Sequence, residues 1–307
     1  MSNSGNLLEV NLRVDYPNNP MALRNIAFSM QRGEVLGLVG ESGSGKSTIA
    51  LALLRLLRWK GGRATGQIVF EGKDLMMTSE NEMEGLRGSA IGLVLQSPMA
   101  SLNPALRIER QLAEAWLTHA RGTRSELDDA VNRALQRVGL PCETEFRQRY
   151  PSQISVGQAQ RVLIAMAAMH SPALLIADEP TSALDAMTQV EILSMLSTLN
   201  REMDTAVLYI SHDLQSVASI CHRIAILHGG VIVECGRTEV VLRRPRHPYT
   251  IELLACAPWL PWWLDERPPS KKRSDYDAVI AVSEAYVQPT PEQLYGGLKS
   301  PYQPPMG

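Results

Sequence analysis

The segment from Gly40 to Thr48, GESGSGKST, constrains this chain more than any other. It fits GxxxxGK[ST] in full and lies between the apolar run VLGLVG and the helical run STIALALLRLL. Such a loop demands a buried strand before it and a helix directly after it. Gly40, Gly43 and Gly45 let the backbone curl so that N–H groups around Ser42 and Thr48 face one anion. The helix start adds the positive end of its dipole. At these positions Lys46 reaches the β- and γ-phosphates of a nucleotide, and the Ser47 hydroxyl suits Mg²⁺. ATP and Mg²⁺ are therefore the expected ligands.

The rest of the chain supplies a matching framework. LLEVNLRV and LRNIAFSM alternate as strands, and QRGE marks a turn. IGLVLQ, ALLIADE and AVLYIS are short apolar runs suited to buried strands. Helical patterns separate them, which predicts a mainly parallel sheet covered on both faces. Residues from about 104 to 170 are mostly helical and form an insertion into that sheet. RIAILHGGVIVECG reads as a hairpin. After residue 257 the composition turns to Pro, charge and aromatics, including PWLPWWL and SKKR. The expected organisation is one domain over 1–257 and an appendage, partly disordered, over 258–307. PWLPWWL is expected to pack on the protein's own surface or to touch a membrane interface or permease.

Net charge is -2, so nothing favours nucleic acid or anionic lipid as a partner. No apolar run reaches the roughly 18 residues that span a bilayer, and the first ten residues lack the pattern of a secretory signal. The four cysteines are scattered, which argues against a disulfide framework or a thiolate metal site.

Three further strand ends carry chemistry. LLIADE places Asp178 where a carboxylate can orient Mg²⁺ through water, and Glu179 where one can polarise an attacking water. His212, in LYISHD, could bond a γ-phosphate or that water. Gln96, in GLVLQSP, ends another strand. The order of these features, with SALD and the near-LSGGQ stretch ISVGQ, resembles the ATP-binding-cassette ATPases over residues 7 to 257. The resemblance implies an α/β fold: a P-loop NTPase (RecA-like) core with an inserted α-helical subdomain and an antiparallel β edge. It implies two cassettes that sandwich two ATPs head to tail. It also implies that Tyr16 stacks on adenine, that Gln96 senses Mg²⁺ and the membrane subunit, and that Glu179 is the catalytic base. His212 would hold the γ-phosphate, and Asp185 would lie in the loop that addresses the opposite site.

LQSPMASLNPALRIERQLAE and RRPRHPYTIELLACAP look like the oligopeptide, dipeptide and nickel uptake subgroup. The cysteine cluster found after the second stretch in many peptide-type members is absent here. The implied function is the peripheral ATPase of a bacterial importer on the cytoplasmic face of the inner membrane. Its partners would be two permease subunits, a second ATPase and, indirectly, an external solute-binding protein. The alternative is a non-transporting ATPase of the same family that acts as a nucleotide-dependent switch.

The signature departs from the family pattern. Ser155, Gly157 and Gln158 match it, but Val156 replaces the first glycine, and Ala159 stands where the subgroup carries arginine. A β-branched residue restricts the backbone where a loop must approach phosphate closely. Two readings stand: an active signature with tolerated drift, or a weakened one. A weakened signature would impair the partner's ATP site only, which predicts a heterodimer with one strong and one weak site.

Overall fold

The structure, a computed structural model, describes residues 5–255. The Pro- and Trp-rich stretch from 258 onward lies outside them. Among the described residues ten strands form two sheets. β1 (Asn6–Tyr16), β2 (Asn19–Gln31), β4 (Arg63–Phe70) and β5 (Lys73–Asp74) make an antiparallel sheet in the order β2-β1-β4-β5. β3 (Val35–Val39), β6 (Ile91–Val94), β7 (Leu174–Asp178), β8 (Ala206–Ser211), β9 (Arg223–His228) and β10 (Val231–Arg237) make the second, in the order β10-β9-β3-β8-β7-β6. Its strands run parallel except β10, which returns from β9 through Gly229 and Gly230. Both glycines have positive φ, as a tight hairpin turn with the twist of its flanking strands requires.

The apolar runs become strands buried on both faces, because a parallel sheet is covered on both sides. Leu36 and Leu38 of β3, with Leu208 and Ile210 of β8, enter one core. That core also holds Leu8, Val10 and Leu12 of β1 and Ile49 and Leu53 of α1 (Lys46–Leu53). Val35 and Val39, with Val207 and Tyr209, point the other way into a second core. There they meet α7 (Val156–Ala168), α8 (Ala186–Met203) and α9 (Leu214–Ile220). The period-2 geometry of a strand thus divides one sheet between two cores.

The inserted helices lie between β6 and β7. They are α3 (Pro98–Ser101), α4 (Ile108–Leu117), α5 (Arg124–Arg137), α6 (Thr144–Arg147) and α7. Arg147 ties three of them together, donating to Glu109 of α4 at 2.9 Å and Asp128 of α5 at 2.6 Å. The insertion starts earlier than 104, with α3 at Pro98. The sequence pattern also gave no expectation of α2 (Glu80–Leu86). Its signal was present: Ser79 and Glu82 form a reciprocal capping box, each accepting from the other's backbone N–H. Among the described residues two short helices follow the hairpin, α10 (Thr238–Arg243) and α11 (Pro248–Ala255).

Candidate functional site

Parallel strands finish together. Register pairs Val39 with Ser211, Ile210 with Asp178, and Ala177 with Val94. The carboxyl ends of β3, β8, β7 and β6 therefore lie side by side, where open α/β sheets hold their ligands. Gln96, Asp178, Glu179, His212 and the glycine-rich loop all stand at or just beyond these ends.

The loop after β3 is compressed against its neighbours. A Cβ on Gly40 would lie 2.3 Å from the backbone oxygen of Leu227, so only glycine fits. Gly45 caps α1 with φ of 106°, and a Cβ there would meet the Leu23 side chain at 2.5 Å. Lys46 is 5% exposed, and its Nζ donates to the carbonyls of Gly40 at 2.7 Å and Glu41 at 2.9 Å. Burial lowers its pKa, while the charges of Glu179, Asp178 and Glu41 act in the opposite direction. The ammonium is thus held by carbonyls of the loop itself. Tyr16 stands beside α1, with its hydroxyl 3.5 Å from Thr48 Oγ1. Its ring fills the space that a Cβ on Gly62 would need.

Asp178 is buried at the end of β7. One carboxylate oxygen, Oδ1, has no hydrogen-bond partner among the described residues, and the Ser47 hydroxyl acts on the carboxylate. Burial pushes its pKa up; the Ser47 bond opposes this, Glu179 adds to it and Lys46 opposes it. A hydroxyl beside an orphaned carboxylate oxygen is a hard donor set, and it fits Mg²⁺. The buried Ser44 Oγ, also without a partner among the described residues, lies in the same loop. Sequence reasoning missed Ser44; only its position inside the motif could have drawn attention to it.

Glu179 brings the remaining strand ends together. Its backbone takes φ of 46°, a left-handed conformation that costs a non-glycine residue about 1 kcal/mol or more. In return its N–H reaches the Ile210 carbonyl at 2.9 Å, and its carboxylate turns along the sheet edge. Gln96 Nε2 donates to Oε2 at 2.8 Å, and His212 Nδ1 lies 3.0 Å from Oε1. The Glu179 side chain is 15% exposed and that of His212 is 60% exposed, so the cluster opens to solvent on the histidine side. Asp213, next to His212, caps α9 and accepts from Gln189 of α8 at 2.8 Å.

A second group sits at the starts of α7 and α8. Ser155 is the N-cap of α7: Gln158 N–H donates to its hydroxyl at 3.2 Å, and Ser155 N–H donates to Gln158 Oε1 at 3.1 Å. Asp185 caps α8, accepting from Thr188 N–H at 3.0 Å and from its hydroxyl at 2.7 Å, and these bonds lower its pKa. The two starts touch, because a Cβ on Gly157 would lie 2.6 Å from Thr188 Cγ2. Thr188 is a second residue that sequence reasoning missed; its signal was the spacing three residues after a helix-capping aspartate. Val156 is the first residue of a regular helix, has no positive φ and is 40% exposed. The crowding expected of its branched side chain does not arise there. The side chain of Ala159 is fully buried in the core, so that position does not present a side chain to solvent.

A family model described as ABC transporter matches residues 23–182, more than half of the chain. The chain belongs to the ABC transporter family. It is one of the family's ATPase cassettes. Over 246 residues it is 41% identical to the oligopeptide transport ATP-binding protein OppD of Bacillus subtilis (strain 168), covering 80% of this chain and 69% of that one. It is 42% identical over 267 residues to the glutathione import ATP-binding protein GsiA of Shigella dysenteriae serotype 1 (strain Sd197). That match covers 84% of this chain and 43% of GsiA, so the cassette matches less than half of that relative's length. Among solved structures, the dimeric post-hydrolysis ATP-binding cassette MJ0796, bound to ADP and Pi, superposes with a TM-score of 0.66 at 26% identity. It covers 75% of this chain and 98% of that one. CbiO1 from Clostridium perfringens, part of the transporter complex cbiONQ, gives 0.67 at 26% identity over 81% of this chain and all of that one. Among the described residues no helix of the cassette is long and apolar enough to cross a membrane.

Proposed function

We propose that this cassette is the ATPase of a bacterial importer for a peptide or a related small solute, docked on the cytoplasmic face of the inner membrane. The observation that carries the reading is the meeting of Gln96, Glu179 and His212 beside the loop of Lys46 and Ser47. In this reading Gly40, Ser42, Gly43, Gly45 and Thr48 shape the phosphate cradle, and Lys46 carries its positive charge. Ser47 and Asp178, with Gln96, hold Mg²⁺, which neutralises phosphate charge when bound. Glu179 accepts the proton of the attacking water. His212 steadies the γ-phosphate side, and Tyr16 offers its ring to adenine. The solute class rests on the printed roles of OppD and GsiA, and neither supports a non-transporting switch. Nickel is the other solute class that the subgroup stretches allow.

A second cassette and two permease subunits are the proposed partners, with an external binding protein acting through the permease. Val156, Met187 and Val190 leave an apolar surface exposed around the contact between Gly157 and Thr188, where a second cassette would close. The exposed Val156 favours a heterodimer whose other member carries the glycine. Three experiments test these statements. Tagged at its native locus and captured from detergent-solubilised membranes, the chain should bring down two permeases and a second ATPase; soluble partners alone would refute the importer reading. Glu179→Gln should lower turnover of that complex by about a hundredfold or more while nucleotide still binds; wild-type turnover would remove Glu179 as the base. Val156→Gly should raise turnover at the partner's site, and an unchanged rate would sink the weak-site reading.

A further inference from the structure

One side-chain bond joins the helices that follow β7 and β8 but touches none of the reacting groups. Gln189, at the end of the first turn of α8, donates from Nε2 to Oδ2 of Asp213 at 2.8 Å. Asp213 is the N-cap of α9. Its carboxylate accepts from Gln215 N–H at 3.0 Å and from Ser216 N–H at 3.2 Å. Its carbonyl accepts from the Ser216 hydroxyl at 2.8 Å, and its own N–H donates to Ser211 Oγ at 3.0 Å. Ser211 and Ser216 are buried, with their hydroxyl oxygens 3.4 Å apart. The cap of α9 is therefore complete without Gln189. What the amide adds is a tether from that cap to α8.

The tether bears on His212. Its side chain is exposed, and among the described residues Glu179 is the ring's one hydrogen-bond partner. Where the ring sits is therefore set largely by the backbone between Ser211 and Asp213, two residues that bond each other across it. At the other end of the tether, Gln189 N–H donates to the carbonyl of Asp185 at 2.9 Å, and Thr188 beside it donates to the Asp185 carboxylate. Gln189 thus belongs to the capped turn of α8 that meets the start of α7 at Gly157. We propose that Gln189 is a positioning residue for ATP hydrolysis: through Asp213 it fixes the backbone that presents His212 to Glu179, so that the capped turn of α8 and the histidine keep one spacing. The proposal rests on the reading that His212 steadies the γ-phosphate side of the site.

The test uses Gln189→Met, which keeps the length and helix preference of the side chain and removes its donor. The full chain carrying it should melt within about 2 °C of the wild type, because α9 keeps its cap. Its affinity for ADP with Mg²⁺ should stay within about twofold, since ADP has no γ-phosphate and the loop of Lys46 is untouched. ATP turnover of the complex captured from membranes should fall about tenfold, the order expected when one charge-assisted hydrogen bond that holds a group in place is lost. Gln189→Glu sets a second carboxylate against Asp213 and should be slower still. Adding Asp213→Asn to it should bring turnover back to within about threefold of the wild type, because asparagine also caps a helix and its amide can donate to the new carboxylate. Wild-type turnover in Gln189→Met overturns the proposal. So does a loss of turnover matched by losses in melting temperature and ADP affinity, because the bond would then be structural only. A Gln189→Glu defect that Asp213→Asn fails to relieve overturns it as well. His212→Ala separates the two readings. If that variant turns over at the wild-type rate, the assignment of His212 and this proposal fall together; if it is slow and Gln189→Met is not, only this proposal falls.

Discussion

Gly157→Ala tests whether the starts of α7 and α8 are locked together as the geometry indicates. The added Cβ would meet Thr188 Cγ2 at 2.6 Å, well inside van der Waals contact. The methyl cannot simply rotate away. Thr188 Oγ1 is bonded to Asp185 at 2.7 Å, and turning χ1 would break that bond in the N-cap of α8. Overpacking of this kind costs about 1–3 kcal/mol. Replacing a helical glycine by alanine returns up to about 1 kcal/mol, less near a helix end. The net expectation is a loss of about 1 kcal/mol, or roughly 2–4 °C in melting temperature for a domain of this size. Thr188→Ser removes Cγ2 and keeps the hydroxyl. In that background the clash is gone and only the helix preference remains, so Gly157→Ala should become neutral or slightly stabilising. Urea or thermal unfolding of the four chains of this double-mutant cycle gives the coupling directly, expected at about 1 kcal/mol or more. If Gly157→Ala costs as much in the Thr188→Ser background as in the wild-type chain, the methyl is not the obstacle and the proposed lock between signature and Asp185 is wrong.

Substitutions at two further positions separate stability from activity. Ser155→Ala should cost about 1 kcal/mol in the isolated chain through the lost cap of α7. Ser155→Asp keeps a capping oxygen and should retain that stability while suppressing ATP turnover of the assembled complex, because it sets a carboxylate where the partner's phosphate is proposed to lie; full turnover would refute that placement. Asp178→Asn should raise the melting temperature near pH 8 while abolishing Mg²⁺-dependent turnover. The sign follows from the raised pKa of Asp178: the folded chain takes up the proton more readily than the unfolded one, so this carboxylate weakens the fold above its folded pKa. The gain should shrink as pH falls toward the ordinary carboxylate range, and a gain independent of pH would count against the explanation.

What could be read from the sequence was what is local. The loop from Gly40 to Thr48 announces its own strand and helix, and the strands that end at Asp178 and Ser211 are apolar almost throughout because both faces are buried. What links Gln96 to Glu179 is a side-chain bond across 83 residues of sequence, and it exists only because β6 and β7 are parallel neighbours. No spacing rule predicts such a bond. The same holds for Tyr249 on His228, which depends on where α11 is anchored by Glu234. The backbone argument about Val156 misses for a different reason. A glycine in a motif suggests an unusual backbone, yet the position is an ordinary first helical turn that a branched residue can occupy. The backbone at this position does not require a glycine.

The meeting of strand ends bears on how Glu179 is held for the role proposed for it. Both of its carboxylate oxygens are engaged, Oε2 by Gln96 and Oε1 by His212. Those two partners hang from different parts of the chain. Gln96 leads into α3, flanked by the exposed Leu95 and Met99, while His212 leads through Asp213 to Gln189 on α8. A body that presses on Leu95 and Met99 moves one partner of the carboxylate; a body that closes on Thr188 and Val190 moves the other. The strained backbone of Glu179 keeps its own position fixed meanwhile, because its N–H is held by Ile210 in the middle of the sheet edge. The carboxylate is therefore a fixed point whose two hydrogen bonds respond to separate surfaces. Each oxygen keeps a second lone-pair site for a water, and where that site points depends on how Gln96 and His212 hold the carboxylate. If the proposed second cassette and permease engage those two surfaces, each would act on the carboxylate through a different hydrogen bond, one through His212 and the other through Gln96.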